Sequence, residues 1–547
     1  MGRRSGGVYG THAYHTKVPP EAIGVCIEAH SKPGDLVLDP FCGSGMTGVA
    51  AALCGRQAVL GDLSPAAVHI ASNYTSPCDP DDFQAAVDRV LAKVGEKVAA
   101  LYETTCWGSP ATVEYLVWSD VRACPACGAE LVLWDHREEG LRRVRCSSCG
   151  EEAAKAAMPV VDEVAVEANV SPAAQRRVVR EPIEADLGED RIPARLPWHP
   201  RMRFDSSRPM WRRGHEALGI ETVADFYSRR NLAAMALLWR AASAEADPRL
   251  RSALRFSLTA IANRASRRYQ WNARRPTNVL GGTLYVSSLR YEWNVLSLWR
   301  RKTGAVERLF RGNPVPAGAV EVYRGSATAI PLADSSIDYC FTDPPFGAHI
   351  VYSDSSLLWE AWLDDLTETE EEAIVVSGGG APKSIEDYRG LLARSFAEVS
   401  RVLKPGRPAT VIFQATDPEV WQAVQGATQD AGLSLVDATT LEKGQPSFKQ
   451  VKGAVNGERV ATSDVVLTLR NGRARRRRAA STPLEIAQRA ILDTAAAGGQ
   501  ATTGHLYASV NARLLRDGHS DVLGFEEVSS LLEQNFERRG DAWVVSA

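Results

Sequence analysis

The chain has 547 residues, 45% hydrophobic and 24% charged, with a formal net charge of −3. That length exceeds one ordinary core and calls for about three or four structural units; the charge balance excludes a globally basic nucleic-acid coat, though not a local patch. No apolar run approaches the roughly 20 residues of a membrane span, and "MGRRSGGVYGTHAYH" lacks the apolar stretch of a secretory signal, so a cytoplasmic protein is expected.

In chain order, residues 35 to 62 read as strand ("DLVLDPF"), glycine turn ("CGSG"), helix ("MTGVAAALCG") and strand ("QAVLGDL"), a parallel β-α-β unit. Some 240 residues follow before the next comparable strand, too many for a loop, so an insertion forming its own domain is expected at 78–317. Within it, Cys124 and Cys127 form one C-x2-C and Cys146 and Cys149 another, 18 residues apart. Four thiolates on two glycine-ended knuckles predict a closed structural Zn2+ site, a zinc ribbon over about 104–152. The other six cysteines read as ordinary buried thiols. Helical patterns follow, and then a run from Arg251 to Arg275 with seven arginines and no acid.

The second α/β part is expected at 318–470. "SIDYCFTDPPF" ends an apolar run at a turn, and "DYRGLLARSFAEVSRVLKPG" places Leu391, Leu392, Phe396, Val399, Val402 and Leu403 at helical spacing before Pro405-Gly406 stops it. "PATVIFQ" and "DVVLTLR" read as further strands. The acidic run 364–372 reads as a solvated loop. A basic linker, 471–478, precedes a small C-terminal unit at 479–547, expected to be α+β and winged-helix-like. The fold class is thus α/β, a doubly wound Rossmann-like sheet interrupted by a zinc-ribbon and helical insertion.

Gly43 and Gly45 stand where a strand turns into a helix, so the backbone can approach a ligand and the helix N–H groups can face it. Asp62 ends the next strand, where an acid reaches ribose hydroxyls. The chain has no G-x-x-x-x-G-K-[ST] phosphate loop and no third motif glycine, so S-adenosylmethionine suits the site better than ATP or NAD. In Asp343-Pro344-Pro345-Phe346 the rigid bend can hold the Asp343 carboxylate and the Pro344 carbonyl as paired acceptors for an exocyclic amine, with Phe346 as a face for an extruded base. Alignment with a methyl sulfonium would complete the chemistry without a catalytic metal. The motif alone could equally be a strand-terminating turn with a buried ring. For Arg264, Arg267, Arg268, Arg274 and Arg275 with Tyr269 and Trp271, phosphate neutralisation and stacking stand beside a solvated helix face with core aromatics. His349 and Tyr352 are candidates for the pocket wall.

"YHTKVPPEAIGVCIEAHSKPGDLVLDPFCGSGMTGVAAA" with "TDPPF" resembles the amino-group DNA methyltransferases, in the form usual for adenine N6 enzymes. The layout is similar to adenine-specific DNA methylases that contain a zinc ribbon, through "IETVADFYSRRNLAAMALL", "YVSSLRYEWNV" and "YSDSSLLWEAWL". The resemblance covers roughly residues 10 to 470. It implies that His15, Thr16 and Lys17 lie near the methionine end of the cofactor. Asp39, Phe41, Gly43 and Gly45 would line the pocket, Asp62 would hold the ribose, and "GSATAIP" (325–331) would contact the adenine. It also implies DNA as partner, a modification or phage-defence setting, and possible further subunits. Met46 stands where Thr is more usual, with Thr47 after it, and the motif aromatic is Phe rather than Tyr. An RNA base-amine methyltransferase and a non-catalytic DNA-binding subunit of a defence complex are the rival readings.

Overall fold

The structure, a computed structural model, describes residues 10–138, 142–173, 176–272, 279–347, 350–415, 417–442, 463–472, 481–517, 519 and 522–545. Arg274, Arg275 and His349 lie outside the described residues.

Two strands, β1 (Leu36–Asp39) and β2 (Gln57–Asp62), flank the helix Met46–Leu53. Eight strands belong to the insertion: β3 (Glu103–Cys106), β4 (Ser109–Ala123), β5 (Glu130–Val132), β6 (Arg143–Arg145), β7 (Glu152–Ala154), β8 (Val160–Pro172), β9 (Val178–Arg180) and β10 (Leu289–Trp293). The central sheet resumes with β11 (Val320–Arg324), β12 (Tyr339–Thr342), β13 (Pro408–Phe413), β14 (Leu433–Glu442) and β15 (Ser463–Asn471). Its order is β11-β2-β1-β12-β13-β15-β14. β11, β2, β1, β12 and β13 run parallel, and β15 pairs antiparallel with both β13 and β14. The chain order therefore reverses between β1 and β12, and loops leaving those two strands diverge around a crevice at their carboxyl ends. Open α/β sheets bind ligands at such a switch point. β13 is buried at every position, as a parallel strand covered on both faces should be.

On one face of the sheet, helix Ile385–Val402 buries Leu391, Leu392, Phe396, Val399 and Val402, the stripe expected from their spacing. Ser384 caps it by accepting from the Asp387 N–H. The other face is covered by the insertion. Val37, Leu60, Tyr339 and Ile412 of the sheet share one continuous core with Val94, Leu238, Leu254 and Trp299, which lie on helices Pro80–Ala100, Arg229–Ser243, Pro248–Ala265 and Val295–Arg311. The helical part of the insertion is therefore not a separate domain: it is the second helical layer of the central sheet. The insertion also carries a second sheet, in the order β10-β4-β8-β9 with β3 and β5 added to β4, and its Cys106, Val113, Leu116 and Val170 join the same core.

At the C-terminus, helices Pro483–Ala496, Thr503–Asp517 and Phe525–Asn535 precede a hairpin of β16 (Glu537–Arg539) and β17 (Ala542–Val544). They enclose a core of their own around Leu506, Val528 and Trp543. Ala508, Ala512 and Leu515 on the outer side of the middle helix join the core of the main sheet, and the Tyr507 hydroxyl donates to the Ala415 carbonyl at 2.7 Å. Among the described residues no helix is long and apolar enough to cross a membrane.

Candidate active site

The loop after β1 reverses direction through two left-handed glycines, Gly43 (φ +50°) and Gly45 (φ +79°). A Cβ on Gly43 would stand 2.8 Å from the Tyr14 ring, and one on Gly45 would stand 2.7 Å from the Ala71 Cβ. Only glycine fits either place, on both conformational and steric grounds. Asp39, buried at the end of β1, accepts from the Thr47 and Thr342 hydroxyls (2.6 and 2.9 Å) and from the Phe41 N–H (3.1 Å). Thr47 thus fixes the acid that ties the glycine loop to β12, which explains how Met46 is tolerated one position earlier. Asp62 accepts from the Gly43 N–H at 2.8 Å and the Ser64 N–H at 2.9 Å. The Leu63 N–H also faces it, so of about four lone-pair sites one remains for a hydroxyl donor.

These groups line a cleft of about 980 Å³, counting its solvent-open mouth. Thr16, Lys17, Asp39, Phe41, Gly43 and Asp62 stand on its wall together with Asp343 and Pro345 from the loop after β12. Ser326 and Ala327, from the stretch expected to face an adenine, close the opposite side. Gly45 sits at the start of helix Met46–Leu53, its Cβ position filled by Ala71 rather than facing the opening. His15 stands behind Tyr14 and Thr16; its ring stacks on Trp359 at 5.1 Å and its Nε2 pairs with the Ser356 hydroxyl at 3.0 Å. Burial pushes the His15 pKa down to about 3, which keeps its imidazole neutral. Lys17 donates to the His12 carbonyl (2.8 Å) and to the Tyr74 hydroxyl (3.2 Å), and burial lowers its pKa to about 7.

Phe346 differs from its expected role. Its ring is 8% exposed, meets Phe413 edge-on at 5.6 Å and belongs to the core beneath β12 and β13. It braces the motif loop from behind, as does Tyr388, whose hydroxyl donates to the Pro345 carbonyl at 2.7 Å. The aromatic faces on the cleft wall are Tyr14, Phe41, Phe341 and Tyr352.

Several cleft residues went unread in the sequence. Glu371 and Glu372 lie in the acidic run read as solvated, yet Glu372 is buried and accepts from the Ser353 N–H at 2.9 Å. Glu371 accepts from the Ser326 and Thr328 hydroxyls at 3.0 and 3.1 Å. Lys383 ties this segment down by donating to the carbonyls of Thr369, Glu370 and Glu372. The one available signal was Lys383 itself, a cation placed a short loop after six acids in nine residues.

The arginine run is also placed differently. Arg268 is buried, donating to the Asn263 side chain at 2.5 Å and to the carbonyls of Leu280 and Thr283. Tyr269 is buried beside it. The Arg264 guanidinium lies over the rings of Tyr269 and Trp293, at 5.0 and 4.7 Å, and Arg267 pairs with Glu163 at 2.7 Å. Trp271 packs on Trp134, 4.7 Å between ring centres. These charges are engaged inside the fold, joining the helical layer to the second sheet, and do not form an open phosphate-binding stripe.

Far from the cleft, the thiols of Cys124, Cys127, Cys146 and Cys149 all lie within 4.8 Å of one another. Cys124 and Cys149 are 3.8 Å apart and Cys127 and Cys146 3.7 Å. A tetrahedron with metal–sulfur bonds of about 2.3 Å has edges of about 3.8 Å, so the donor set fits a zinc-sized ion.

The glycine loop, Asp62 and the acid-Pro-Pro turn thus surround one cleft. Residues 2–73 match the model of the N6/N4 DNA methylase family. Over 61 residues the chain is 46% identical to the type II methyltransferase M.XycI of Xanthomonas campestris pv. cyanopsidis and 49% identical to M.Cfr9I of Citrobacter freundii. Each match covers 11% of this chain and 20% of the relative, so the chain spans about a fifth of the relatives' length. Among solved structures, a SAM-dependent methyltransferase from Methanosarcina mazei matches at TM-score 0.17 and 13% identity, over 30% of this chain and 77% of that one. TrmN from Thermus thermophilus matches at 0.17 and 13%, over 31% and 34%. By the first two findings, the N-terminal segment is similar to DNA methylases.

Proposed function

We propose that the chain is an S-adenosylmethionine-dependent DNA methyltransferase that modifies the N6 amine of adenine, with a structural Zn2+ on its four clustered cysteines. One observation carries the reading: Asp343 and Pro345 stand on the wall of the same cleft as Gly43, Asp62 and Ser326. An amine acceptor and an adenosyl cradle thus share one space.

The cradle suits S-adenosylmethionine through the Gly43 backbone, which no side chain may cover, the remaining lone pair of Asp62 toward a ribose, and Ser326 and Ala327 toward a base. Bound there, that cofactor would supply an electrophilic methyl group on a cationic sulfur. The residues of the chain would do the rest by position. Asp343 would accept one N–H of the target amine, drawing electron density onto a nitrogen whose lone pair is otherwise delocalised into the ring. The rigid prolines would hold a second acceptor beside it. The amine proton displaced on methylation would pass to Asp343 or to water. Tyr352, rather than Phe346, would offer the target base a ring, since it stands with Asp343 on the cleft wall. Adenine is favoured over cytosine by Asp343, since the cytosine N4 form of the motif commonly begins with Ser.

The test is transfer of labelled methyl from S-adenosylmethionine to duplex DNA, followed by nucleoside analysis. N6-methyldeoxyadenosine is expected, and N4-methyldeoxycytidine or labelled RNA would refute the assignment. Asp343→Ala should reduce transfer at least 10³-fold while cofactor affinity changes less than threefold. Substantial residual transfer would overturn the role given to the acid.

A further inference from the structure

With Arg264, Arg267 and Arg268 engaged internally, another surface must meet the phosphates of a DNA substrate. Residues 195–213 contain six arginines and one acid, Asp205. Arg195, Arg201, Arg203, Arg212 and Arg213 are exposed. Exposed cations elsewhere are commonly paired, as in Arg89–Glu245, Arg143–Glu152, Arg229–Glu189 and Arg311–Asp81. Along this strap Arg203 reaches Asp205 at 3.4 Å, and the Arg212 guanidinium donates to the carbonyls of Pro209 and Trp211. Arg195, Arg201, Arg212 and Arg213 have no ion-pair partner among the described residues. A row of uncompensated guanidinium groups makes a field complementary to a polyphosphate backbone.

The strap is also fastened beside the motif. Arg208 donates to Asp354 at 3.1 Å, the Met210 N–H donates to the same carboxylate at 2.7 Å, and the Ser207 carbonyl accepts from the Gly380 N–H at 2.8 Å. Asp354 shares the short helix Tyr352–Ser355 with Tyr352, which stands on the wall of the cleft. One helical turn therefore joins the arginine strap to the catalytic space. At the other end Trp198, 45% exposed, lies 6.1 Å from Trp362. It overlooks an open groove of about 1740 Å³ whose far wall carries Asp364 and Asp365, the latter paired with Arg324 at 2.5 Å.

We propose that residues 195–213 form the surface on which duplex DNA lies, the exposed arginines following the phosphate backbone while the Asp343 loop receives the target base. The proposal rests on the DNA-methyltransferase reading and adds the binding surface to it. The test is made on the full chain with Arg201→Gln, Arg212→Gln and Arg213→Gln combined, titrating a 25-base-pair duplex at several salt concentrations. Affinity should fall at least tenfold at 0.1 M salt, and the slope of log K against log salt should flatten by about 2–3, near 0.9 for each lost phosphate contact. S-adenosylmethionine affinity and the melting temperature should not change. The corresponding triple Lys variant should recover most of the slope, and Arg300→Gln, an exposed arginine off the strap, should leave it unaltered. An unchanged slope in the triple Gln variant, with wild-type methylation of DNA intact, overturns the strap alone. Failure of the wild-type chain to bind or methylate duplex DNA overturns both the strap and the function. A loss confined to single-stranded RNA overturns DNA as the occupant.

Discussion

Around the cleft, buried carboxylates outnumber nearby cations, and this has a measurable consequence. Burial pushes Asp39 and Glu360 up to about 7 and Asp62 up to about 6, and raises Glu372 as well. Glu360 belongs to the set because it accepts from the Ser64 hydroxyl at 2.6 Å, next to the residue that orients Asp62. In the unfolded chain such acids lose their protons near pH 4. Between about pH 4 and 7 the folded protein therefore holds more protons than the unfolded one, and these groups make the empty protein less stable as pH rises through that window. A ligand carrying a sulfonium and an ammonium reverses the balance by favouring the ionised acids. Lys17, with a pKa of about 7, is already mostly charged at pH 6 and takes up little. Binding of S-adenosylmethionine at pH 6 should thus release protons, and its affinity should rise from pH 5 to 7. Titration calorimetry in two buffers of different ionisation enthalpy reads the release directly; buffer-independent heats would contradict it. The glycines, Asp62 and Asp343 were legible in the sequence because their spacing follows from backbone geometry at strand ends, whereas Asp39 was reached only through the family resemblance. Tyr14, Glu371 and Glu372 were not, since each reaches the cleft through a fold-back that leaves no local pattern.

Elements were read correctly where one period dominates. Helix Ile385–Val402 and the strands flanking the glycine turn follow from apolar spacing and a stop signal. Of the arginine run, Arg264, Arg267 and Arg268 depart from an exposed stripe because composition reports charge and not burial: Arg268 finds carbonyls supplied by Leu280 and Thr283, a turn more than ten residues away. The cysteine pairs are the opposite case, since knuckle geometry is local; Gly128 and Gly150 both adopt left-handed φ and their N–H groups donate to Cys124 and Cys146. This element encloses only a small core around Leu131, Leu133, Val144 and Met158, too little to hold two knuckles without a further bond. Removing Zn2+ with a chelator should open residues 124–158, read as a rise in their amide exchange and in thiol reactivity. β4 ties the knuckles to the second sheet and not to the cleft, so cofactor affinity should shift less than twofold. A loss of cofactor binding in step with zinc would show that the two sites are coupled.

At the scale of the molecule, the insertion is long enough to suggest an independent domain, and its length alone cannot reveal otherwise. What decides the matter is which apolar faces meet. Trp299 is fully buried on helix Val295–Arg311, and its indole N–H donates to the Ser257 hydroxyl at 2.7 Å. It lies in the same core as Val37 and Leu60, the strand residues beneath the glycine loop. Cutting the insertion away would leave one face of a parallel sheet bare, an arrangement such sheets do not tolerate. Trp299→Ala should therefore cost about 3–5 kcal/mol, and the loss should reach the cleft. In a thermal melt of the variant, helix content and cofactor binding should disappear together, at one lowered temperature, because probes of one cooperative unit coincide. Were the insertion an autonomous domain, its helices would melt early while cofactor binding persisted to the wild-type temperature, and that separation would refute the shared core.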